Sequence, residues 1–487
     1  MLKIPKLLLG SLSIASAILF PALVNSQALA VQLTGRAVLP ADTFASGPTS
    51  GQLVNPANGV QVPFINKQPV QGFSAVLPGP RPGTFLVMAD NGFGAKANSP
   101  DFLLRFYAVE PDFSTGQVFP VNLQTSERLS SFTQESFFQL NDSAGKVGFP
   151  IVAARSVYPG TITATNPSGI PVDPAIKSGR LLTGGDFDLE SFRRVSDGTY
   201  WFGEEFGPFL LHVAANGQLL EAPIPLPNFL NLGNNPLVQS PDNPAFANLP
   251  TSQERAAAAN LAGSKGFEGL ALNTSGTKLY AMLEGALLPN PQRDRLLINE
   301  FDLGTKQYTG KVFSYQLEDP TYAIGDLTAI NDNEFIVIER DNTQGDPNNP
   351  AFTNPAQFKR LYKIDLSQVE SNGFVKKEQL VDLLNISDPN GIGGNGTVNG
   401  RFTFPFVTIE DVLPLDRQTL LVINDNNYPG SVGRTPGRAD NNEFITIRLD
   451  SPLNLVSVPE SSNAATLGLV ALGVLLTLKR KPQAKPD

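Results

Sequence analysis

The chain has 487 residues, with 45 acidic side chains against 36 basic ones, a single histidine and no cysteine. Without cysteine there is no thiolate chemistry and no Cys-ligated metal, and one histidine cannot build a multi-His zinc site. The acidic excess repels phosphate backbones, so no nucleic-acid partner is expected.

Residues 1–30 have the layout of a secretory leader. Lys3 and Lys6 form a basic start, an apolar run extends from Leu7 to Leu23, and Ala28-Leu29-Ala30 offers the small residues a signal peptidase reads. The exported chain then begins near Val31. Residues 31–69 are expected to form an N-terminal extension with the first strands, and 70–455 the main body.

The body reads as all-β. Apolar runs of five to eight residues recur between Gly, Asn, Asp and Pro, and only Gln253 to Leu261 suggests a helix. Aligning the runs exposes a repeated hairpin. A degenerate first copy runs from Ser74 through a turn at Gly83-Thr84 to Asp90. Clearer copies lead from Glu190 through Ser196-Asp197-Gly198-Thr199 to Glu205, and from Glu268 through Thr274-Ser275-Gly276-Thr277 to Glu284. Two more lead from Asp326 through Asn331-Asp332-Asn333 to Asp341, and from Glu410 past Asp416-Arg417 to Asp425. In each copy the turn sits midway, so the two polar ends, 15 or 16 residues apart, lie side by side. Hairpins repeated in this way, each followed by an outer strand (102–109, 296–303, 361–364, 444–449), predict a β-propeller-like fold of five to seven blades. The 116 residues between Ser74 and Glu190 leave room for a sixth copy. A β-sandwich is the rival architecture, but it gives no reason for a polar residue to recur at one position.

In a propeller the innermost strands start at a central channel. Glu190, Glu268, Asp326 and Glu410 would then share one mouth, with Glu205, Glu284, Asp341 and Asp425 beside them. Asp188, two residues before Glu190, joins them as a candidate ligand. Like charges this close need countercharge. Arg193, Arg194 and Arg340 within the motifs can supply it, and so can calcium, which binds carboxylate and carbonyl oxygens and needs neither His nor Cys. The alternative is that the acids are structural. His212 is the only side chain with an ordinary pKa near neutrality, hence a candidate general acid–base; as a plain strand histidine it needs no such role. Trp201 is expected to pack between blades, and the Gly-rich stretch from Gly391 to Gly400 to be a surface crossover.

The last segment, 456–487, carries a further signal. Asn463 to Leu478 contains no charged residue and Lys479-Arg480-Lys481 follows. Sixteen helical residues rise roughly 24 Å, a little short of a hydrocarbon core of about 30 Å. With Val458-Pro459-Glu460 upstream, the end resembles PEP-CTERM sorting tails, with a transmembrane helix at 463–478. That resemblance implies export, transient anchoring in the inner membrane and processing by an exosortase-type enzyme. Delivery to the periplasm, the outer surface or the extracellular polymer would follow, with membrane contact only through this tail.

Three motifs of the body carry a second resemblance: Gly185-Asp186-Phe187-Asp188-Leu189-Glu190-Ser191-Phe192-Arg193, Gly203-Glu204-Glu205-Phe206-Gly207-Pro208 and Lys265-Gly266-Phe267-Glu268-Gly269-Leu270-Ala271. Together with Glu339-Arg340-Asp341 and Asn424-Asp425-Asn426 they resemble the phytase-like family, also described as "esterase-like activity of phytase", over roughly Val70 to Leu449. Glu204 stands where an aspartate is more usual. The resemblance implies a propeller-like hydrolase of phosphoric or other esters acting on a small-molecule substrate. In that reading Glu190, Glu205, Glu268 and Glu410 hold Ca²⁺ ions that activate water, and Arg193 and Arg340 bind phosphate oxygens. Two other classes stay open. One is a non-catalytic, calcium-stabilised module that binds a surface polymer. The other is a lactonase- or carboxylesterase-type propeller, which Asn424 and Asn426 beside Asp425 keep in view.

Overall fold

The structure, a computed structural model, describes residues 31–160 and 169–456. The leader and the sorting tail expected from the sequence lie outside these residues. Among the described residues no helix is long and apolar enough to cross a membrane. The α-helices Pro174–Gly179 and Ser252–Ala258 are short, and the second is fixed by a capping box between Thr251 and Glu254.

Strand β1 (Gln32–Leu39) opens the fold, followed by a two-stranded ribbon of β2 (Phe44–Ser46) and β3 (Lys67–Pro69). Antiparallel units of four strands then follow in chain order. The first comprises β4 (Phe73–Pro78), β5 (Phe85–Ala89), β6 (Arg105–Asp112) and β7 (Gln117–Pro120), with β8 (Phe137–Gln139) pairing the start of β6. The second comprises β9 (Leu189–Arg194), β10 (Tyr200–Glu204), β11 (Phe209–Val213) and β12 (Ile224–Pro225). The third is β13 (Phe267–Leu272), β14 (Lys278–Leu283), β15 (Arg295–Asp302) and β16 (Gln307–Gln316). The fourth is β17 (Ala323–Ala329), β18 (Glu334–Arg340), β19 (Lys359–Val369) and β20 (Val375–Asp382). Three short strands, β21 (Ile386–Ser387), β22 (Thr397–Val398) and β23 (Arg401–Phe402), precede the last unit, β24 (Asp411–Pro414), β25 (Thr419–Ile423) and β26 (Asn442–Arg448). Its fourth strand is β1, antiparallel to β26 from Gln32 to Leu39, so the two ends of the body share one sheet. Within the 116-residue gap, the described residues form the rest of the first unit, the short helix Pro174–Gly179 and irregular segments, with no further hairpin repeat.

The inner strands β4, β9, β13, β17 and β24 pack against one another in that order, and β24 returns against β4. This closed ring makes the fold propeller-type and turns the unpaired inner edges of β4, β9, β13, β17 and β24 toward a protected centre. Packing between units supplies the core. Phe106 of the first unit lies on Phe192, Tyr200 and Phe202 of the second, and Trp201 packs on Phe301 of the third. Burying each such ring contributes about 1.5–3 kcal/mol. The ring is closed by charge as well: Arg36 on β1 grips Glu443 on β26 at 2.6 and 2.9 Å, and Arg434 grips the same carboxylate. Burial opposes ionisation of Glu443, but the Arg434 and Arg36 guanidinia outweigh it and hold the carboxyl at about 2.

Candidate functional site: an acid-lined central cavity

The inner strands share a local irregularity that builds the site. The ladder skips one residue between Phe73 and Ala75, between Leu189 and Ser191, between Phe267 and Gly269, and between Ile324 and Asp326. A β-bulge leaves its extra residue outside the pairing and re-aims its side chain. The extra residues are Ser74, Glu190, Glu268 and Gly325, and Glu410 stands just ahead of β24 at the corresponding place. On the second strand of each hairpin the neighbouring positions are Asp90, Glu205, Glu284, Arg340 and Asp425. The backbone N–H groups of Asp90, Glu205 and Glu284 donate to the carbonyls of Gly72, Asp188 and Gly266 at 2.8–2.9 Å, which fixes the match.

Apart from Ser74 and Gly325, these positions converge on a cavity of about 550 Å³. Its lining includes Asp90, Asp188, Glu190, Glu205, Glu268, Glu284, Glu410 and Asp425, with Lys265 and Arg340 as the only basic residues among those described. Residues 54–57 of the segment linking β2 and β3 wall one side, against the Tyr428–Ser431 loop, and Asn58 ties the two by donating to the carbonyls of Pro429 and Gly430. Oxygens of Asp188, Glu190 and Glu205 lie within 4.8 Å of one another, as do those of Glu190, Glu268 and Glu410, and those of Glu205, Glu268 and Glu284. Asp188 Oδ1, Glu205 Oε1 and Glu268 Oε1 are buried and have no hydrogen-bond partner.

The electrostatics follow from this crowding. Burial first, then neighbouring carboxylates, push Glu190, Glu205, Glu268 and Asp90 well above the usual carboxylate range. Glu410 is raised to about 8 by burial and then by Asp425, and Asp188 and Asp425 are raised to about 6, mainly by burial. Lys265 pairs with Glu284, and Arg340 reaches Glu284 at 3.4 Å and Glu410 at 3.3 Å. Two bases cannot neutralise eight carboxylates. A set of oxygen donors with no histidine or sulfur, several of them unpartnered, is compatible with a hard metal ion.

Of the candidates named from sequence, Asp188, Glu190, Glu205, Glu268, Glu284, Glu410, Asp425 and Arg340 are brought together here. Four are not. Asp326 is one residue out of register: the bulge places Gly325 at the ring position, where a Cβ would run into the Ile409 carbonyl oxygen, and Asp326 faces Arg193 instead. Asp341 is likewise displaced by one, leaving Arg340 in the place where the other copies carry an acid; Asp341 pairs with buried Lys359 at 2.9 Å. Arg193 does not line the cavity; it spans from β9 to Asp326 Oδ1 at 3.2 Å and to the Leu327 carbonyl at 2.8 Å. His212 also lies outside it, stacked on Trp201 with ring centroids 4.4 Å apart. Its Nδ1 is 2.7 Å from Glu221 and its Nε2 is 2.9 Å from Thr199 Oγ1.

Asn424 and Asn426 serve the backbone, Asn424 accepting from Glu443 N–H and Asn426 from Gly72 N–H. Asn91 and Asn427 line the cavity in their stead. Lys265 was not singled out by sequence, although it sits in the same motif as Glu268. In the sequence Asp90 stands out only as the end of a degenerate copy.

The fold and site define a propeller-type protein with an acidic central cavity. Residues 68–428 match the phytase-like family, described as "esterase-like activity of phytase", and the chain belongs to that family. It is 22% identical over 347 residues to an uncharacterized secreted protein of Arthroderma benhamiae, the match covering 64% of this chain and 62% of that one. The chain thus spans a little under two thirds of that relative's length. Similar solved structures include a luciferin-regenerating enzyme (11% identity, TM-score 0.35, covering 88% of this chain and 98% of that one). A calcium-binding regucalcin of Agrobacterium tumefaciens is similar at 10% identity and TM-score 0.34, covering 87% and 98%.

Proposed function

We propose that this is an exported, five-bladed phytase-like hydrolase whose central cavity holds calcium and cleaves esters. The observation that carries the reading is the convergence of eight carboxylates on one cavity with two basic residues. Bound calcium would neutralise the acids, polarise the ester oxygen and make a water more acidic. In this reading the clustered carboxylates, Glu190, Glu205, Glu268 and Glu410 among them, would hold calcium, and a cavity carboxylate left free of it would take the proton from the attacking water. Arg340, whose Nε has no partner, orients the substrate oxygen.

The same charge count narrows the ester. A polyanion such as phytate would meet a wall of carboxylates, so the reading favours uncharged or singly charged esters over polyphosphates. Export is supported by the leader-like sequence of residues 1–30 and by a relative named as secreted. Processing of the tail by an exosortase-type enzyme, after transient anchoring in the inner membrane, belongs to the same proposal. A second reading, a calcium-stabilised module that binds surface polymer without turnover, is favoured by the engagement of both Lys265 and Arg340 with Glu284, which leaves no free ammonium for a phosphate.

The deciding experiment assays the purified protein against p-nitrophenyl acetate, a lactone, p-nitrophenyl phosphate and phytate, with calcium and with chelator. Calcium-dependent turnover of the uncharged esters is expected. No turnover on any substrate, alongside a chelator-induced drop in melting temperature, would select the binding module.

A further inference from the structure

The three carboxylate groups of the cavity overlap in a closed pattern. The first (Asp188, Glu190, Glu205) and the second (Glu190, Glu268, Glu410) share Glu190. The second and third share Glu268, and the third (Glu205, Glu268, Glu284) shares Glu205 with the first. Each pair of neighbouring corners therefore has one bridging carboxylate, and each corner has one terminal ligand of its own: Asp188, Glu410 or Glu284.

The fixed positive charges are distributed unequally over these corners. At the third, Glu284 pairs with both Lys265 and Arg340. At the second, Glu410 is reached by Arg340 alone, at 3.3 Å, and its other oxygen accepts from Ser74 Oγ. At the first, none of Asp188, Glu190 and Glu205 pairs with a Lys or Arg among the described residues. Of the unpartnered, buried oxygens, Asp188 Oδ1 belongs to the first corner alone, Glu205 Oε1 is shared by the first and third, and Glu268 Oε1 by the second and third. The cause lies in the repeat. The fourth unit carries Gly325 and Arg340 where the second and third carry paired glutamates, and so delivers a cation to one side of the ring only.

We propose that the cavity holds two divalent cations of unequal affinity, bridged by Glu190, and that Lys265 is a built-in occupant of the third corner. The inference rests on the cation-dependent reading above and adds which carboxylates bind, in what order. The first corner, free of fixed positive charge, fills first; the second, in competition with Arg340, fills later; the third is closed to metal by the Lys265 ammonium.

Calcium binding to the purified, chelator-stripped protein tests this by equilibrium dialysis with radioactive calcium. The expected isotherm has two steps, two ions per chain, with dissociation constants separated by about tenfold or more, because affinity tracks the charge count of the site. Asp188→Asn should remove the tight step and keep the weak one, Glu410→Gln should remove the weak step, and Glu284→Gln should leave both. Lys265→Met should add a third ion. One ion, three ions or no ion on the unaltered protein overturns the proposal, and that measurement does not depend on any variant folding. Circular dichroism separates a variant that has lost an ion from one that has lost its fold. Ester turnover supported by a single bound ion would refute the two-cation scheme and spare the hydrolase reading; two ions without turnover would do the reverse.

Discussion

Arg193 on the inner strand of the second unit donates to Asp326 on the inner strand of the fourth, at 3.2 Å, passing over the unit between them. Asp326 in turn accepts from the Val412 N–H of the fifth unit, so one buried ion pair ties three units across the channel. Beside it, both carboxylate oxygens of Asp411 are buried without a partner, and burial followed by Asp326 keeps that carboxyl well above its ordinary range. Removing one partner of a buried pair leaves the other uncompensated. Arg193→Met should therefore cost about 3–5 kcal/mol of stability, read from the denaturant midpoint, whatever the calcium level.

Gly325 should tolerate nothing larger. A Cβ there meets the Ile409 carbonyl and the Glu410 backbone, neither of which can yield without shifting β24. Gly325→Ala is expected to lower stability by about 3 kcal/mol or more. A neutral outcome in thermal melts would mean the fourth and fifth units are not seated as described.

The pH dependence has a definite sign. Asp188 and Asp425, raised to about 6, and Glu410, raised to about 8, all sit above the ordinary carboxylate value of about 4. A carboxyl raised by folding favours the fold fully at low pH and ceases to as the pH climbs through its folded value. In chelator, the melting temperature should fall as pH rises from about 5 to about 8. Calcium should restore it most at the upper end, where protons no longer compete for the ligands. A melting temperature that rises across this window in chelator would contradict the assignment.

Glu268 belongs to two of the three carboxylate groups. Glu268→Gln should reduce calcium-dependent ester turnover by more than the roughly 10–100-fold typical of residues that only support a metal ligand. Phosphate or ester hydrolysis that survives the substitution would move the reaction out of this cavity.

His212 offers the contrasting control. It stacks on Trp201 and bridges Glu221 to Thr199 away from the cavity, and burial lowers its pKa. His212→Phe should leave kcat/KM essentially unchanged and cost about 1 kcal/mol for the lost hydrogen bonds. A large fall in kcat with an altered pH profile would return the histidine to the mechanism.

Much of the site could be read from sequence because the hairpin repeat keeps its polar ends at constant separation. Glu190, Glu205, Glu268, Glu284, Glu410 and Asp425 follow from that spacing alone. The errors at Asp326 and Asp341 share one cause. In the fourth copy an acid stands one residue beyond the ring position on both strands, and spacing counts residues without showing which one the bulge extrudes. The preceding apolar residue was the available signal: Leu189-Glu190, Phe267-Glu268 and Ile409-Glu410 align with Ile324-Gly325, not with Gly325-Asp326. The joining of β1 to β26 had no sequence signal, since the partners stand some four hundred residues apart.

The one-dimensional pattern thus determined that the body is a repeated hairpin with carboxylates at matched ends, because turn chemistry and alternation are local properties of the chain. Tertiary structure decided which corner of the acid ring receives the bases. That depends on Gly325 pressing against Ile409 and on Arg340 standing beside Glu284 and Glu410, contacts between units that no spacing within a single copy encodes.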